Sequence, residues 1–252
     1  MDVSEHGYDT DKGPEYMARY ERAFAALREK PVAVLELGVL RGGSLLLWAD
    51  YFPLGTVAGL DLNPVEVEHP RVRVYQGGQQ DVALLERIAR ECAPDGFDII
   101  IDDAGHLGSL SAASFAALYE HHLKPGGIYV LEDWGTGYWA TWPDGARSRT
   151  VVGQAAKPPA ALHLGHRVLG LLLRILRPLP AAQGLLAPLR RRTSARMDRT
   201  SYRSHEAGMV GFVKQLVDLT SRLQDPREGG SPPPEVAEMW VSDGQVFCFK
   251  PA

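Results

Sequence analysis

The sequence predicts a doubly wound α/β fold, mostly parallel, that ends in an antiparallel C-terminal hairpin. Three observations carry this expectation. Short apolar runs broken by glycine alternate with amphipathic segments through the first half of the chain. Acidic and amide residues gather at the carboxyl end of each run. The last residues repeat a strand, a turn and a strand. Apolar runs of this kind read as buried parallel strands, and their alternation with helices implies right-handed crossovers. With 45% hydrophobic and 23% charged residues, the 252-residue chain can bury a core of ordinary globular character.

In order, residues 14–30 predict a helix, because Tyr16, Tyr20, Phe24 and Leu27 recur at helical spacing; Pro31 ends it. Val32 to Gly38 is the first strand, and Ser44 to Tyr51 a helix that starts behind Gly42 and Gly43. Thr56 to Leu62 is the second strand and Val72 to Gln76 the third, followed by a helix from Val82 to Cys92. Phe97 to Asp103 is the fourth strand, Ser109 to His122 a helix, Pro125-Gly126-Gly127 a turn and Gly127 to Glu132 the fifth strand. Beyond Trp134 the alternation breaks off. Met209 to Arg222 reads as a further helix, Asp225 to Pro234 as a loop, and Glu238 to Lys250 as a hairpin that turns at Asp243-Gly244. The expected organisation is one domain over residues 1–252, with residues 1–30 as an N-terminal helical cap and residues 140–203 as an inserted segment. No internal repeat is visible.

Ligands of such sheets lie outside the carboxyl ends of the strands, where the polar clusters fall. Glu36-Leu37-Gly38-Val39-Leu40-Arg41-Gly42-Gly43-Ser44 joins the first strand to the first helix. Glycines admit close approach of a ligand to the backbone, and the helix N-terminus adds oriented N–H donors. The spacing is Gly-x-x-x-Gly-Gly, which is not the Gly-x-Gly-x-x-Gly of dinucleotide sites. Glu36 would repel a pyrophosphate and suits the amino group of a methionine moiety, so S-adenosylmethionine is favoured over NAD. Asp61, 23 residues after Gly38, can accept hydrogen bonds from ribose hydroxyls. Gln79, Gln80 and Asp81 follow the third strand where an adenine edge would lie. Glu36, Gly38, Ser44, Asp61, Gln79, Asp81 and Asp102 are therefore the expected cofactor-binding residues.

Asp102-Asp103-Ala104-Gly105-His106 ends the fourth strand and Glu132-Asp133 the fifth. The topology makes these ends neighbours, so like charges crowd one cleft, and a divalent cation would relieve their repulsion. Oxygen-rich sites with open positions suit Mg²⁺ or a similar hard ion. Asp103, Glu132 and Asp133 are the expected ligands, and His106 the expected base. The alternative is that Asp102 and Asp133 only cap the segments that follow them. A hydroxyl is a poor nucleophile at neutral pH. A metal can stabilise the developing alkoxide while a histidine takes the proton. Two adjacent oxygens of a sugar could chelate the ion, and Trp134, Tyr138, Trp139 and Trp142 could stack on a sugar face or on an aromatic ring. A catechol offers the same pair of oxygens. A nicotinamide oxidoreductase and a non-catalytic adenosyl-binding protein are the competing classes. The absent dinucleotide motif argues against the first. The cost of holding so many carboxylates together argues against the second.

These motifs together resemble the metal-dependent sugar O-methyltransferases of the macrocin and mycinamicin type. Tyr8-Asp9-Thr10-Asp11-Lys12-Gly13 resembles the family's Gly-Ser/Thr-Asp-Lys-Gly start. Leu35 to Val39, Gly42 to Leu45 and Trp48 to Pro53 are similar to its cofactor loop and first helix. Gln76-Gly77-Gly78-Gln79-Gln80-Asp81 resembles Gln-Gly-Asp-Gln-x-Asp, with Gly78 in place of an acid. Phe97 to His106 resembles Phe-Asp-Ile-Ile-Ile-Asp-Asp-Gly-Ser-His, with Ala104-Gly105 replacing Gly-Ser. Lys124 to Asp133 and Thr136-Gly137-Tyr138-Trp139 are similar to its metal and substrate segment. The resemblance spans residues 7–142 and resumes faintly at 209–219 and in the last strand. It implies a Rossmann-like class I methyltransferase sheet, S-adenosylmethionine and magnesium as cofactors, Asp103, Glu132 and Asp133 as ligands, His106 as base, and a carbohydrate-containing acceptor, small or oligosaccharide.

A net charge of −4 gives no global reason to expect a nucleic-acid partner. The polar, acidic N-terminus lacks the pattern of a signal peptide, and the longest apolar stretch, Val168 to Leu176, contains Arg174 and falls short of the ~20 residues of a membrane span. Cys92 and Cys248 form no framework and read as buried thiols. The expected setting is cytoplasmic. From Arg147 to Arg203 the only acid is Asp198, and Arg190-Arg191-Arg192 is a basic cluster. This stretch suits a lid over the cleft; a homodimer contact, a plain surface insertion and a helix lying on a membrane are its alternatives.

Overall fold

The computed structural model describes residues 7–139, 141–145, 208–220 and 235–252, together with 167–173 and residues 186, 188, 189 and 192. The chain divides into two compact units, one of residues 1–145 and 207–252 and one of residues 146–206. Within the second, residues 167–173 are helical. The loop expected at Asp225 to Pro234 and most of the inserted segment, including Arg190 and Arg191, lie outside the described residues.

The first unit carries the sheet. Its elements are α1 (Pro14–Phe24) with a 3₁₀ turn (Ala25–Leu27), β1 (Ala33–Leu37), α2 (Gly43–Tyr51), β2 (Thr56–Asp61), β3 (Val72–Gln76), α3 (Val82–Cys92), β4 (Phe97–Asp102), α4 (Gly108–Leu118), β5 (Leu123–Glu132), a 3₁₀ segment (Trp134–Tyr138), α5 (Gly208–Asp218), β6 (Glu238–Val241) and β7 (Gln245–Phe249). The strand order is β3-β2-β1-β4-β5-β7-β6. The first five strands pair in parallel, and β7 is antiparallel to both β5 and β6. This is the expected mostly parallel sheet with a terminal hairpin, turned by Gly244 at φ +75°. The chain reverses strand order between β1 and β4, and the loops after those strands open the crevice in which ligands of such sheets sit.

Strand parity builds two cores. Leu35, Leu37, Ile100, Tyr129 and Leu131 face α3, α4 and α5, where they meet Leu85, Ile88, Phe115, Leu118, Met209 and Phe212. Val34, Ile99, Ile101, Ile128 and Val130 face α1 and α2, where they meet Tyr20, Phe24, Leu45, Trp48 and Phe52. Edge-on ring contacts of Tyr20 with Trp48 (4.9 Å) and with Phe247 (5.6 Å) lock α1 against α2 and β7. Such pairs contribute about 0.5–1.5 kcal/mol each beyond area burial.

Cys248 is buried as expected but Cys92 is only half-buried, and one strand expectation needs correction. Pro125-Gly126-Gly127 is not a turn ahead of the fifth strand but lies within β5, whose pairing with β4 shifts register between Phe97 and Ile99. Gly126, at φ +72°, donates its N–H to the Pro251 carbonyl, and the Lys250 N–H bonds the Gly127 carbonyl. The chain end therefore supplies the partners that let strand continue through a sequence that reads as a break. No helix among the described residues is long and apolar enough to cross a membrane.

Candidate active site

The same parity that builds the cores sorts the acids. Glu36 shares the face of Val34, and Glu132 that of Ile128 and Val130, so both carboxylates point toward α1 and α2. Asp102 shares the face of Ile100 and points the other way. Asp103, one residue past β4, turns back to join Glu36 and Glu132.

Between them lies a side chain that the spacing arguments did not select. Lys12 is 3% exposed, and its Nζ stands 2.6 Å from Glu132 Oε1, 2.8 Å from Asp103 Oδ2 and 3.2 Å from Glu36 Oε1. Ser44 Oγ donates to Glu36 Oε2 at 2.6 Å, Tyr20 OH donates to Glu132, and Tyr16 OH donates to Asp133 Oδ1 at 2.7 Å. Burial pushes the Asp103 carboxyl well above the usual carboxylate range, and neighbouring Glu132 adds to it while Lys12 opposes. Glu132 is raised for the same first reason, against the pull of Lys12 and Tyr20. Burial alone would lower Lys12, but Glu132, Glu36 and Asp103 together hold it well above its ordinary value. The only hint of this in the sequence was the Asp-Lys-Gly stretch at the family-like start. Tyr16 and Tyr20 were legible only as an apolar helix face.

A second cluster shares Asp103. Its Oδ1 lies 4.0 Å from His106 Nε2, and Asp133 Oδ2 lies 3.9 Å from the same nitrogen. One donor atom from each of Asp103, His106 and Asp133 falls within 4.8 Å of the others, and so does one from each of Glu36, Asp103 and Glu132. Among the described residues, three non-glycine positions have positive φ, namely Leu40 (50°), His106 (46°) and Asp133 (52°), and all three line one cleft. Left-handed backbone at such residues is costly and concentrates where function demands it. Trp142 Nε1 donates to the His106 carbonyl at 2.9 Å and helps hold that conformation.

The cleft encloses about 500 Å³. One wall is Asp9 to Lys12 with the Gly38–Leu40 loop and Ser44; another is Asp61 to Asn63 with Gly77 to Gln80; the last is Asp103 to His106 with Asp133. A β-carbon at Gly38 would overlap the Asp103 carbonyl, and one at Gly43 would overlap that of Asp9. The loop thus packs directly on Asp103 and on the N-terminal strap formed by residues 9–12. Arg41 and Asp9 form an ion pair across its rim at 2.5 Å.

The expected cofactor residues divide. Gly38, Ser44, Asp61 and Gln79 line the cleft. Asp61 Oδ2 accepts the N–H groups of Val39 and Leu40, each at 3.0 Å, so it also fixes the glycine loop. Glu36 lies beneath the cleft, wholly buried. Asp81 is placed outside it as the N-cap of α3, accepting the Leu84 N–H. Asp102 is also outside, because strand parity turns it into the opposite core; there Gln79 Nε2 (2.9 Å), Ser114 Oγ (2.8 Å) and Tyr129 OH (3.2 Å) bond it. It therefore caps no backbone segment either. Gln79 spans both regions, since its Oε1 accepts the Gly105 N–H at 2.8 Å. Of the expected metal ligands, Asp103 and Asp133 face the cleft, and Glu132 lies 3% exposed behind them. Of the expected stacking residues, Trp134 is tied to the Ser242 carbonyl and packs edge-on against Tyr138, whereas Trp139 is 57% exposed.

No protein-family model matches the chain. It is 43% identical over 132 residues to the mycinamicin VI 2''-O-methyltransferase of Micromonospora griseorubida, an alignment covering 49% of this chain and 32% of that enzyme. It is 36% identical over 186 residues to the 8-demethyl-8-(2-methoxy-alpha-L-rhamnosyl)-tetracenomycin-C 3'-O-methyltransferase of Streptomyces olivaceus, covering 67% of this chain and 44% of that one. Its structure matches that of the MycE methyltransferase of the mycinamycin pathway, in complex with Mg, SAH and mycinamycin VI, with a TM-score of 0.70 and 28% identity, over 100% of this chain and 54% of MycE. The chain thus spans about a third to under half of the length of the curated relatives it matches. In sequence and in fold, the chain is a homologue of actinobacterial sugar O-methyltransferases, built on the class I methyltransferase fold.

Proposed function

We propose that the chain transfers a methyl group from S-adenosylmethionine to a hydroxyl of a sugar-bearing acceptor, assisted by a divalent cation, with His106 as the base. The observation that carries this is the Asp103–His106–Asp133 cluster, set on the wall of the cleft that the glycine loop, Asp61 and Gln79 also line.

The charges fit. Glu36, Asp103 and Glu132 surround one ammonium and half-exposed Asp133 lies beside them, so with all four carboxyls ionised the centre carries three uncompensated negative charges. Burying unpaired charge is costly. A divalent ion and a sulfonium cofactor carry the three positive charges that balance it. The open donors are carboxylate oxygens with one imidazole, a set suited to a hard ion such as Mg²⁺. Asp103 and Asp133 would hold it from the cleft side, with Glu132 behind them. When bound, it would lower the pKa of the acceptor hydroxyl and orient it.

The remaining tasks fall to the chain. Gly38, Ser44 and Asp61 position the cofactor. His106 takes the hydroxyl proton on Nε2 as the new C–O bond forms and the C–S bond breaks. Asp103 and Asp133, about 4 Å away, stabilise the resulting imidazolium. Exposed Trp139 offers an aromatic face to the sugar.

The reading is tested by calorimetric titration with S-adenosylmethionine and with NAD. Methyl transfer to mannosides, rhamnosides, macrolide glycosides and catechols then follows, with Mg²⁺ or EDTA. Adenosylmethionine binding with EDTA-sensitive transfer to a glycoside is expected. Transfer to catechols alone would overturn the acceptor, and failure to bind adenosylmethionine would overturn the whole reading.

A further inference from the structure

We propose that Lys12 is a built-in cation filling an inner metal position, so that the centre takes one divalent ion where its carboxylates could hold two. The proposal rests on the reading above only in that Asp103 and Glu132 belong to both positions.

The inner position is defined by Glu36, Asp103 and Glu132, one oxygen of each lying within 4.8 Å of the others, as around a shared ion. Lys12 Nζ touches all three. Glu36 and Glu132 are at most 3% exposed, and the Lys12 side chain 1%. Three carboxyls this close and this buried can all be ionised only with a cation at their centre. The ammonium does not serve its partners equally. It donates to Glu132 and Asp103, but Glu36 Oε1 lies at 3.2 Å without a hydrogen bond. Three donors in fixed tetrahedral directions satisfy two of the three carboxylates. A hard divalent ion with six coordination positions has room for an oxygen from each of the three.

Asp103 bridges the two positions. Its Oδ2 is held inward by Lys12, while its Oδ1 turns outward toward His106 and the cleft. Paired-metal sites use bridging carboxylates between ions about 3.5–4 Å apart. Here the inner charge is supplied by the chain. It arrives on the N-terminal strap, next to Asp9, Thr10 and Asp11, which also line the cleft. Lys12 is thus a positioning residue: it aims Asp103 at the outer site and closes the inner one to divalent ions.

The test is the number of Mn²⁺ ions bound per chain, read from loss of the free-ion electron paramagnetic signal, for the full chain and for Lys12→Met, Lys12→Arg and Lys12→Met/Glu36→Gln. Lys12→Met is expected to bind one ion more than the unaltered chain, Lys12→Arg the same number, and the double variant to lose the extra ion. Equal numbers for the unaltered chain and Lys12→Met would overturn the proposal, even if the outer ion binds and methyl transfer proceeds. If the unaltered chain binds none and Lys12→Met binds one, the inner position stands and the metal-assisted reading fails. Should Lys12→Met purify unfolded, its thermal transition is expected to return with Mn²⁺ and not with KCl of equal ionic strength; no return with Mn²⁺ would overturn the proposal.

Discussion

His106 is oriented by its main chain. Its backbone is left-handed, its carbonyl accepts the Trp142 indole N–H, and Thr136 Oγ1 approaches the same oxygen at 3.4 Å. The ring is thereby aimed between Asp103 and Asp133, in reach of either base or ligand chemistry. The two roles separate by experiment. As a base, His106→Ala costs about 10²–10⁴ in kcat and leaves Mn²⁺ affinity and adenosylhomocysteine affinity within a few-fold of the unaltered chain. A histidine that ligates the ion would instead show weakened Mn²⁺ binding in the same variant. Trp142→Phe keeps a ring beside His106 and removes one hydrogen bond, worth about 1 kcal/mol. The expected outcome is a drop in kcat of about fivefold with the KM for adenosylmethionine unchanged; an equal rise in that KM would mean that Trp142 supports the cofactor loop and not the base.

At the scale of elements, strand parity decides which acids meet. Asp102 and Asp103 are adjacent in sequence, yet one is bonded by Ser114 and Tyr129 in the α4 core and the other by Lys12 at the cleft. The apolar run Ile99–Ile100–Ile101 is readable as a strand, but which of its faces turns toward the cleft is not, since both faces of a parallel strand are apolar. The sequence therefore does not reveal that Asp102 points away from the cleft. The strands themselves were legible to within a residue or two, because glycine or an acid punctuates each apolar run. β5 was the exception, since its Pro-Gly-Gly is rescued by distant backbone partners. Lys12 was illegible because a lysine in a polar opening segment reads as solvated, and only the three-dimensional return of the strap buries it. The glycine loop joins the two halves of the site. Gly38, at φ +84°, has the Asp103 carbonyl where a β-carbon would stand. Gly38→Ala therefore carries both a backbone penalty of about 1–3 kcal/mol and an overlap with main chain that no side-chain movement relieves. It should lower the melting temperature and weaken adenosylhomocysteine binding at least tenfold. Full binding with an unchanged melting temperature would mean that the loop lies farther from Asp103 than its packing indicates.

For the molecule as a whole, the acidic centre sets stability against pH. Burial raises both Asp103 and Glu132. An acid whose folded pKa exceeds its unfolded one contributes stability that is fully present below the unfolded value, about 4, and lost as pH rises through the folded value. Lys12 is raised by its three partners, so its contribution persists throughout that range and is lost only above its ordinary titration. The ligand-free chain should therefore lose stability as pH climbs above the ordinary carboxylate range. A divalent ion reverses the trend. It binds the deprotonated carboxylates, so its affinity and its stabilisation grow as protons leave. At a hundredfold excess over its dissociation constant it adds about 2.7 kcal/mol. Melting curves with and without Mg²⁺ at pH 5 and pH 8 check this directly. The Mg²⁺-induced rise in melting temperature is expected to be larger at pH 8, and to shrink in Asp103→Asn. An equal rise at both pH values, or one that survives Asp103→Asn, would place the ion elsewhere on the protein and leave the buried carboxylates to be balanced by Lys12 and protons alone.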